Sequence, residues 1–360
     1  MRILVISNIG SGLYKFRKEL LQELINRNND IYISLPHDEY VSKLIELGCK
    51  CIETHLDRRG TNVVRDLKLL LCYIKIIRQV KPEIVLTYTI KPNVYGGLAC
   101  RITNTPYLTN VTGLGTVIEN AGLMQKVGLV LYKMGLKNSK CVFFQNEQNR
   151  QLFIKRNIAR GKTRLIPGSG VNLKQHNMEE YPSIDKVIRF LYLGRIMKAK
   201  GIDELLEAAR IVKEKYLDVQ FDLVGSLEED YSEILNTDVN DGSINYHVEQ
   251  ENIRHFLKNS HATILPSYHE GTSNVLLESA ATGRPILASK VPGCMETFDD
   301  GISGLGFEAK NVKSIVDAIL TFIELPYDQK RQMGIAGRKK MEREYDRRIV
   351  VDAYIEEINN

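Results

Sequence analysis

The 360-residue sequence has only six cysteines, and none of them stands at a spacing that would bind metal or form a redox pair. No Cys-x-x-Cys motif occurs, and no histidines accompany the cysteines at zinc-ligand spacing. Most of the cysteines lie inside apolar segments, which predicts buried free thiols and a reducing cytoplasm. They are Cys49, Cys51, Cys72, Cys100, Cys141 and Cys294.

The sequence also lacks an apolar run that could cross a bilayer. The most apolar stretch, residues 67–77, is interrupted by Lys68 and Lys75, whereas a membrane-spanning helix needs about 20 apolar residues. The apolar residues at the start end at Asn8, which predicts a first strand and not a signal peptide. We therefore expect a cytoplasmic protein.

Low-complexity tracts and short-period repeats are absent as well, and the composition is that of an ordinary globular protein. Hydrophobic residues make up 43% and charged residues 26% of the chain, enough for two cores in a chain about twice the usual domain length. The formal net charge of +5 suits an anionic ligand or an anionic membrane surface, but it is too small to predict nucleic-acid binding.

Short β-branched runs alternate with amphipathic runs, which is typical of parallel sheets with crossover helices. The first half predicts strands at 3–7, 31–35, 84–87, 107–111 and 141–144, and helices at 13–27, 63–80, 94–102, 123–136 and 147–157. The second half predicts strands at 188–192, 220–224, 262–265 and 285–288, helices at 202–215, 275–281 and 312–323, and one charged helix from 330 to 358.

Turn residues at 166–172 divide this pattern into two domains. We expect an α/β architecture of two facing Rossmann-like domains, residues 1–170 and residues 171–342, with a final helix at about 343–360 that packs back on the first. Ligands of such sheets bind beyond the carboxyl ends of the strands, so we expect them in the cleft between the domains.

The residues that follow predicted strand 188–192 are suited to binding an anion. Gly194 and Arg195 come directly after the strand, and Lys200 opens the next helix. A guanidinium and an ammonium near a helix N-terminus attract a diphosphate. The alternative is a solvated basic turn without a ligand.

A second polar segment follows predicted strand 262–265. It contains Glu270, the turn Gly271, Thr272 and Ser273, and a helix that carries Glu278. Backbone amides at the helix start, those of Ser273, Asn274 and Val275, would be free donors, and the Glu278 carboxylate could bind a ribose diol. In the alternative interpretation, Glu270 and Ser273 only cap the helix and Glu278 is a surface acid.

Together these residues resemble a known signature. Gly194-Arg195-x4-Lys200-Gly201, followed by Glu270-Gly-x-Ser-Asn-x3-Glu278, is similar to the donor site of family 4 retaining glycosyltransferases, which have the GT-B fold. The N-terminal half resembles the bacterial members that build capsules, exopolysaccharides and lipid-linked oligosaccharides. Segments 56–62, 88–96 and 110–115 carry that second likeness.

The resemblance implies an activity and a role for each matching residue. Such an enzyme moves an N-acetylhexosamine or hexose from a UDP-sugar to a polyprenyl-diphosphate-linked glycan, with no obligatory metal. Arg195 and Lys200 would neutralise the donor diphosphate, Glu270 would contact the donor sugar, and Glu278 would hold the ribose. The further donor contacts would be Gly12, Gly194, Gly271, Thr272, Ser273, Asn274 and Val275, with Arg195, Lys200 and Glu270 as the catalytic groups.

The acceptor is expected in the N-terminal domain. Arg58, Arg59 and Lys91 are candidates for its diphosphate, and Thr112 and Gly113 are further candidates for acceptor binding. Many members of the family carry a histidine where this chain has Thr112, so another group must replace it. No carboxylate stands out as a covalent nucleophile, and the resemblance implies front-face transfer in which the leaving phosphate takes the acceptor's proton.

Helix 123–140 indicates peripheral contact with the inner face of the plasma membrane. Lys126, Lys133, Lys137 and Lys140 form a narrow basic stripe that Leu129, Val130 and Leu136 flank. Helix 63–80 carries a second basic stripe, Arg65, Lys68, Lys75 and Arg78. The alternative is that both are ordinary solvated helix faces.

Other functions remain open at this point. A GT-B sugar-nucleotide epimerase, a user of ADP- or GDP-sugars, and a catalytically silent scaffold subunit would share the fold. The four charged residues Arg195, Lys200, Glu270 and Glu278 argue against the silent subunit. A dehydrogenase is disfavoured because Gly10-x-Gly12 lacks the third glycine and the ribose-binding acid of the dinucleotide fingerprint.

Overall fold

The structure is a computed structural model that describes residues 1–56, 62–113, 122–183, 187–250 and 252–360. The chain divides into two compact units. Unit 1 consists of Met1–Ser169 and Arg347–Asn360, and unit 2 consists of Gly170–Asp346. Each unit is a parallel sheet covered by helices, which confirms the predicted α/β class.

Unit 1 contains a seven-stranded parallel sheet in the order β3-β2-β1-β4-β5-β6-β7. Its strands are β1 Arg2–Ile6, β2 Asp30–Leu35, β3 Lys50–Glu53, β4 Ile84–Tyr88, β5 Tyr107–Val111, β6 Cys141–Phe144 and β7 Lys162–Leu165. Successive side chains of each strand point to opposite faces, so the central strands are apolar on both sides and need helices on both.

Six α-helices of unit 1 precede the crossing to unit 2 in the described residues, and a short π-helix, Pro92–Gly96, leads into the fourth of them. The six α-helices are α1 Gly10–Asn26, α2 Val41–Glu46, α3 Val63–Val80, α4 Gly97–Thr103, α5 Leu123–Leu136 and α6 Glu147–Lys155. Helices α1 and α2 pack on the face that presents Ile3 and Val5. Helices α3 and α4 pack on the opposite face, which presents Leu4, and α5 and α6 extend that layer over Val142.

Unit 2 contains a six-stranded parallel sheet in the order β10-β9-β8-β11-β12-β13. Its strands are β8 Ile188–Leu193, β9 Val219–Val224, β10 Asn245–His247, β11 Ala262–Leu265, β12 Ile286–Ser289 and β13 Gly304–Phe307. Its helices are α7 Ile202–Lys215, α8 Ser232–Asn240, α9 Arg254–Asn259, α10 Asn274–Ala281, α11 Val312–Glu324 and α12 Tyr327–Glu344. The main core lies between α7, α11 and the face of β8 that presents Phe190 and Tyr192.

The C-terminal region is two helices, so the prediction of one continuous helix from 330 to 358 is wrong. Helix α12 ends at Glu344 and α13 runs from Arg347 to Asn359. The break occurs because the carbonyl oxygen of Tyr345 accepts a hydrogen bond from the N–H of Val171 at 2.8 Å. Helix α13 then packs on unit 1, where the ring of Tyr354 stacks on Phe143 at a centroid distance of 4.3 Å.

Four of the six cysteines are buried, as expected, whereas Cys51 and Cys72 are half-buried. All six cysteines are free, and burial raises the pKa of the Cys49 and Cys141 thiols to about 12. Among the described residues, no helix combines the length and the apolar character that crossing a membrane requires.

Candidate functional site

In unit 2, the carboxyl ends of two neighbouring strands bring together a predicted cation and a predicted carboxylate. Strands β8 and β11 pair in parallel, so the loops that follow them emerge at the same sheet edge. The ammonium of Lys200 contacts Oε1 of Glu270, and the two side chains are only 18% and 15% exposed. The hydroxyl of Ser267 donates to the same oxygen at 2.8 Å. Residues 70 positions apart thus form one hydrogen-bonded cluster.

Gly201 allows the loop that carries Lys200 to lie against the loop that carries Glu270. Gly201 follows a short 3-10 turn at Lys198–Lys200 and has φ of +72°. A Cβ at this position would lie 2.1 Å from the carbonyl oxygen of Pro266, far inside van der Waals contact. Any larger residue would therefore move Lys200 away from Glu270.

A second glycine lies against the loop that carries Glu270. Gly293 has φ of +82°, and a Cβ there would lie 2.6 Å from the carbonyl oxygens of both Glu270 and Gly271. Its own N–H donates to the Glu296 carboxylate at 2.7 Å. Gly293 and Glu296 thus form a turn that lies against the backbone of Glu270 and Gly271.

One predicted donor in this loop is already engaged. The N–H of Ser273 donates to the carbonyl oxygen of Gly293 at 2.9 Å, so the prediction that this amide is free is wrong. Ser273 instead serves as the N-cap of α10, with its Oγ accepting from the N–H of Leu276. The amides of Asn274 and Val275 lie in the first helical turn, where no intrahelical acceptor exists.

Glu278 lies on α10, one helical turn after Asn274, and faces a histidine that the sequence analysis did not select. Its Oε1 lies 3.9 Å from Nε2 of His176, and the two side chains are 14% and 6% exposed. Arg338 of α12 donates to the carbonyl oxygens of His176 and Ala281, each at 2.8 Å. The arginine therefore joins the segment that carries His176 to the helix that carries Glu278.

Arg195 extends the cationic edge of the site from the turn after β8. Its side chain is 47% exposed and its Nη1 lies 3.8 Å from a carboxylate oxygen of Glu228. The Tyr192 hydroxyl donates to the Arg195 carbonyl oxygen at 2.8 Å. Burial, with the nearby Glu270 charge, raises the pKa of Tyr192 well above its ordinary value, so the phenol keeps the proton that it donates.

In unit 1, Gly12 does not lie in a strand-to-helix loop, as the sequence analysis placed it. Helix α1 begins at Gly10, so Gly12 belongs to its first turn. The N–H of Gly10 donates to the Asp38 carboxylate at 2.6 Å, and the helix dipole favours that anion. The neighbouring cavity, of about 290 Å³, is lined by Asn8, Ile9, Ser11, Pro36, His37, Asp38, Glu39, Tyr40 and Leu56.

The predicted acceptor residues that the structure describes are also in unit 1. Lys91 is largely buried, and its ammonium lies 2.7 Å from Asp66, whose other oxygen accepts from the Tyr95 hydroxyl at 2.9 Å. Thr112 and Gly113 follow β5 and are half-buried. Arg58 and Arg59 lie outside the described residues.

The residues gathered in unit 2 can bind an anion next to a polyhydroxylated group. Arg195 and Lys200 supply positive charge, and the amides at the start of α10 are donors. The carboxylates of Glu270 and Glu278 are groups that can accept hydrogen bonds from hydroxyl groups. Among the described residues, no group of three or more histidine, cysteine, aspartate or glutamate side chains is arranged to hold a metal ion.

Comparisons with known proteins identify the family. Residues 174–340 match the family model "Glycosyl transferases group 1", and residues 2–146 match "Glycosyl transferase 4-like". An N,N'-diacetylbacillosaminyl-diphospho-undecaprenol alpha-1,3-N-acetylgalactosaminyltransferase of Campylobacter jejuni is 29% identical over 99% of this chain and 97% of the relative. A UDP-Gal:alpha-D-GlcNAc-diphosphoundecaprenol alpha-1,3-galactosyltransferase of Escherichia coli is 25% identical over 86% of this chain and 84% of the relative.

The structural comparison gives the fold. HepE of Anabaena, solved in complex with UDP and glucose, superposes with a TM-score of 0.82 at 16% identity and covers all of both chains. Sucrose-phosphate synthase of Thermosynechococcus elongatus superposes with a TM-score of 0.80 at 20% identity over 99% and 98% of the two chains. With a family match in each half and this fold over the whole length, the chain belongs to the family 4 glycosyltransferases of the GT-B fold.

Proposed function

We propose that this glycosyltransferase moves an N-acetylhexosamine or hexose from a UDP-sugar, with retention of the anomeric configuration, to a sugar on a polyprenyl diphosphate. The choice of a UDP-sugar as donor rests on the contact between Lys200 and Glu270. Arg195 and Glu278 belong to the same unit. Lys200 and Arg195 supply positive charge for a diphosphate. The carboxylates of Glu270 and Glu278, in the same unit, suit a sugar and a ribose.

The relatives support the choice of substrates. The Campylobacter jejuni and Escherichia coli relatives are both named for alpha-1,3 transfer to a sugar on diphospho-undecaprenol. The second name specifies UDP-Gal as the donor. Because UDP-hexoses carry an α-linked sugar, an α-linked product corresponds to retention.

The proposed reaction needs charge stabilisation more than acid–base groups. The bond between the anomeric carbon and the UDP oxygen breaks, and the acceptor hydroxyl oxygen bonds to the same face of that carbon. The hydroxyl proton passes to the departing phosphate oxygen. Arg195, Lys200 and the amides of Asn274 and Val275 stabilise the charge that develops on UDP, so we propose that the transfer needs no metal and no other cofactor.

A nucleotide-binding experiment tests the donor. We expect UDP to raise the melting temperature, because a ligand at about 100 times its Kd adds roughly 2.7 kcal/mol of stability, whereas GDP, ADP and NAD should not. EDTA should leave the UDP effect unchanged, and Glu278→Ala should abolish most of it. Glu324→Ala, which removes an exposed carboxylate at the end of α11, is the matched control and should behave like the wild type.

Product analysis tests the transfer itself. Incubation with UDP-GalNAc, UDP-Gal or UDP-GlcNAc and a synthetic polyprenyl-diphosphate-linked sugar should give an α-linked disaccharide with one of the donors, which NMR identifies. Interconversion of UDP-sugars without an acceptor would indicate an epimerase instead. UDP binding without turnover of any donor would favour a scaffold subunit.

We also propose that unit 1 contacts an anionic membrane surface through helices α3, α4 and α5. Helix α4 contacts both of the others, and the Arg101 guanidinium donates to the carbonyl oxygen of Met134 across the α4–α5 contact. The three helices expose large apolar side chains, namely Val63, Val64, Leu67, Leu71, Ile102, Val127, Val130 and Met134. Basic side chains lie among them.

The exposed face differs in part from the one that the sequence predicts. Lys126, Lys133 and Lys137 are exposed, as is Val130, but Leu136 is buried in the core and is unavailable to lipid. The exposed Arg65 and Lys68 lie beside Leu67 on α3. A surface of apolar side chains surrounded by cations binds membranes with anionic headgroups. A polyprenyl-linked acceptor would be available at such a membrane surface.

Vesicle sedimentation tests this surface. Wild-type protein should bind vesicles of phosphatidylcholine with one quarter phosphatidylglycerol and should not bind phosphatidylcholine alone. Replacing both Lys126 and Lys133 by glutamine should weaken binding about 30-fold, since each surface cation contributes about 1 kcal/mol. The same change at the exposed Lys313 and Lys339 of unit 2 is the matched control. Equal binding by both double variants would contradict the proposal.

A further inference from the structure

We propose that Ser267 is a positioning residue for Glu270, and that it controls how well the site uses the sugar half of the donor without affecting the UDP half. The inference rests on the proposed function, because it assigns Glu270 to the donor sugar. It gives a role to a residue that lies three positions before Glu270 and carries no ionisable group.

The serine hydroxyl binds one particular oxygen of the glutamate. Ser267 has no exposed surface, and its Oγ donates to Oε1 of Glu270 at 2.8 Å, an ordinary hydrogen-bond length. The Lys200 ammonium contacts the same oxygen. Among the described residues, every hydrogen bond and ion pair of the Glu270 side chain thus involves Oε1, which leaves Oε2 for a hydroxyl group of the sugar.

The backbone on both sides of the serine is held independently of the glutamate. The preceding carbonyl group, that of Pro266, lies against Gly201. The following N–H, that of Tyr268, donates to the carbonyl oxygen of Ala199 at 3.1 Å. Both partners adjoin Lys200 in the chain, so the serine hydroxyl and the lysine ammonium are carried by segments that are fixed to each other, and Oε1 lies against both.

The two donors together restrict the carboxylate. With both contacts to Oε1 in place, the glutamate side chain is ordered before a ligand arrives, so a ligand that binds Oε2 does not have to restrict its rotamers. Removing the hydroxyl leaves the ammonium alone, and the carboxylate can then turn about that single contact. The cost applies only to a ligand that uses this carboxylate. A UDP-sugar uses it through a sugar hydroxyl, and UDP lacks the transferred sugar.

Kinetic and binding measurements on two buried serines test the inference. Ser267→Ala removes only the hydroxyl. Ser289→Ala is the matched control, because Ser289 of β12 is equally buried but its hydroxyl has no hydrogen-bond partner among the described residues. The probes are UDP and whichever of UDP-GalNAc, UDP-Gal and UDP-GlcNAc the wild type turns over.

The two probes should respond differently. We expect Ser267→Ala to lower kcat/KM for the UDP-sugar about tenfold and to leave the calorimetric Kd for UDP within about twofold of the wild-type value. The second result also shows that the variant is folded. Ser289→Ala should behave like the wild type with both probes.

Each outcome has a distinct meaning. Equal losses for UDP and for the UDP-sugar in Ser267→Ala would reveal a merely structural role and overturn the inference, as would an unchanged kcat/KM. In the double variant Ser267→Ala/Glu270→Ala, the serine change should add nothing to the loss caused by Glu270→Ala, and a further loss would show that the hydroxyl acts elsewhere.

Failure of the proposed function is distinguishable from failure of the inference. If the wild type bound no UDP and transferred no sugar, the proposed function would be wrong and the inference would fall with it. If Glu270→Ala bound UDP normally but transferred sugar poorly, while Ser267→Ala kept full activity, only the role of the serine would be rejected.

Discussion

Lys200→Ala is expected to lower kcat by about 10²–10³. The ammonium of Lys200 is held against Glu270 in a mostly buried position, and Ser267 fixes the same carboxylate oxygen. A cation that is oriented before the reaction stabilises the leaving diphosphate without reorganising during it. Steady-state kinetics with the UDP-sugar that the product analysis identifies would measure the loss.

The chain offers a close control two residues earlier. Lys198 carries the same charge on the same turn, but its side chain is 70% exposed and its ammonium lies 3.9 Å from Asp203. Lys198→Ala should change kcat less than about threefold, because an exposed ion pair contributes little. A similar loss in both variants would mean that bulk positive charge matters and that the position of Lys200 does not.

The contact between Lys200 and Glu270 also predicts a coupling. Residues that share a hydrogen bond do not act independently. When the losses in kcat are expressed as free energies, the sum of the losses in Lys200→Ala and Glu270→Ala should therefore exceed the loss in the double variant Lys200→Ala/Glu270→Ala. Circular dichroism should confirm that each variant is folded, since removing one partner leaves a partly buried charge without its counterion. Strict additivity would argue that the two side chains act in separate steps.

The strands that the sequence predicts are the interior strands of both sheets. All nine predicted strands are confirmed, whereas four others were missed: β3, β7, β10 and β13, which are the edges of the two sheets. Interior parallel strands are apolar on both faces and read as continuous hydrophobic runs. The edge strands are three or four residues long, and segments such as Lys50–Glu53 and Lys162–Leu165 begin with a lysine, so local pattern does not distinguish them from loops.

The sequence predicts the site residues that belong to the family motif, but not those outside it. Lys200 and Glu270 each follow a predicted strand, and the resemblance to the family assigns both to one donor site, so their proximity could be anticipated. His176 could not, because it lies in a loop after the boundary between the units and reaches Glu278 through tertiary packing alone. The engaged amide of Ser273 was missed for the same reason, since its acceptor, Gly293, comes from a separate turn.

Helix boundaries were missed where a long-range contact sets them. Periodicity places the start of α1 at residue 13, but the Asp38 carboxylate accepts from the N–H of Gly10 and the helix begins there. The charged C-terminal stretch has continuous helical propensity, yet the hydrogen bond from Val171 interrupts it at Tyr345. In both places the deciding partner is distant in the sequence.

Arg284→Met is expected to lower the free energy of unfolding of unit 2 by about 3–5 kcal/mol. Arg284 is fully buried, with no exposed surface, and its guanidinium donates to five backbone carbonyl oxygens. The acceptors are those of Leu257 at 2.7 Å, Glu180 at 2.8 Å, Lys258 at 3.0 Å, and Glu179 and Gly283 at 3.4 Å each. Methionine replaces the aliphatic part of the side chain but provides no donor, so these buried oxygens would lose their partner.

The charge of Arg284 survives its burial, which explains why the arginine is required. Burial lowers the pKa of the guanidinium to about 10, so it remains protonated at neutral pH and keeps all its N–H donors. Lysine presents a single ammonium with three N–H donors and cannot reach all five carbonyls, so Arg284→Lys should recover only part of the loss. Arg331→Met, at an exposed position of α12, should change stability by less than about 0.5 kcal/mol.

Differential scanning calorimetry can assign the loss to the correct unit. The chain has two units and need not unfold in a single transition, but UDP should raise only the transition of the unit that binds it. We expect Arg284→Met to lower that transition by several degrees and to leave the other unchanged. The carbonyls of Glu179 and Glu180 belong to the segment that runs from His176 into the core, so the loss should also expose this segment to proteolysis. An unchanged UDP-sensitive transition would mean that water replaces the guanidinium at little cost.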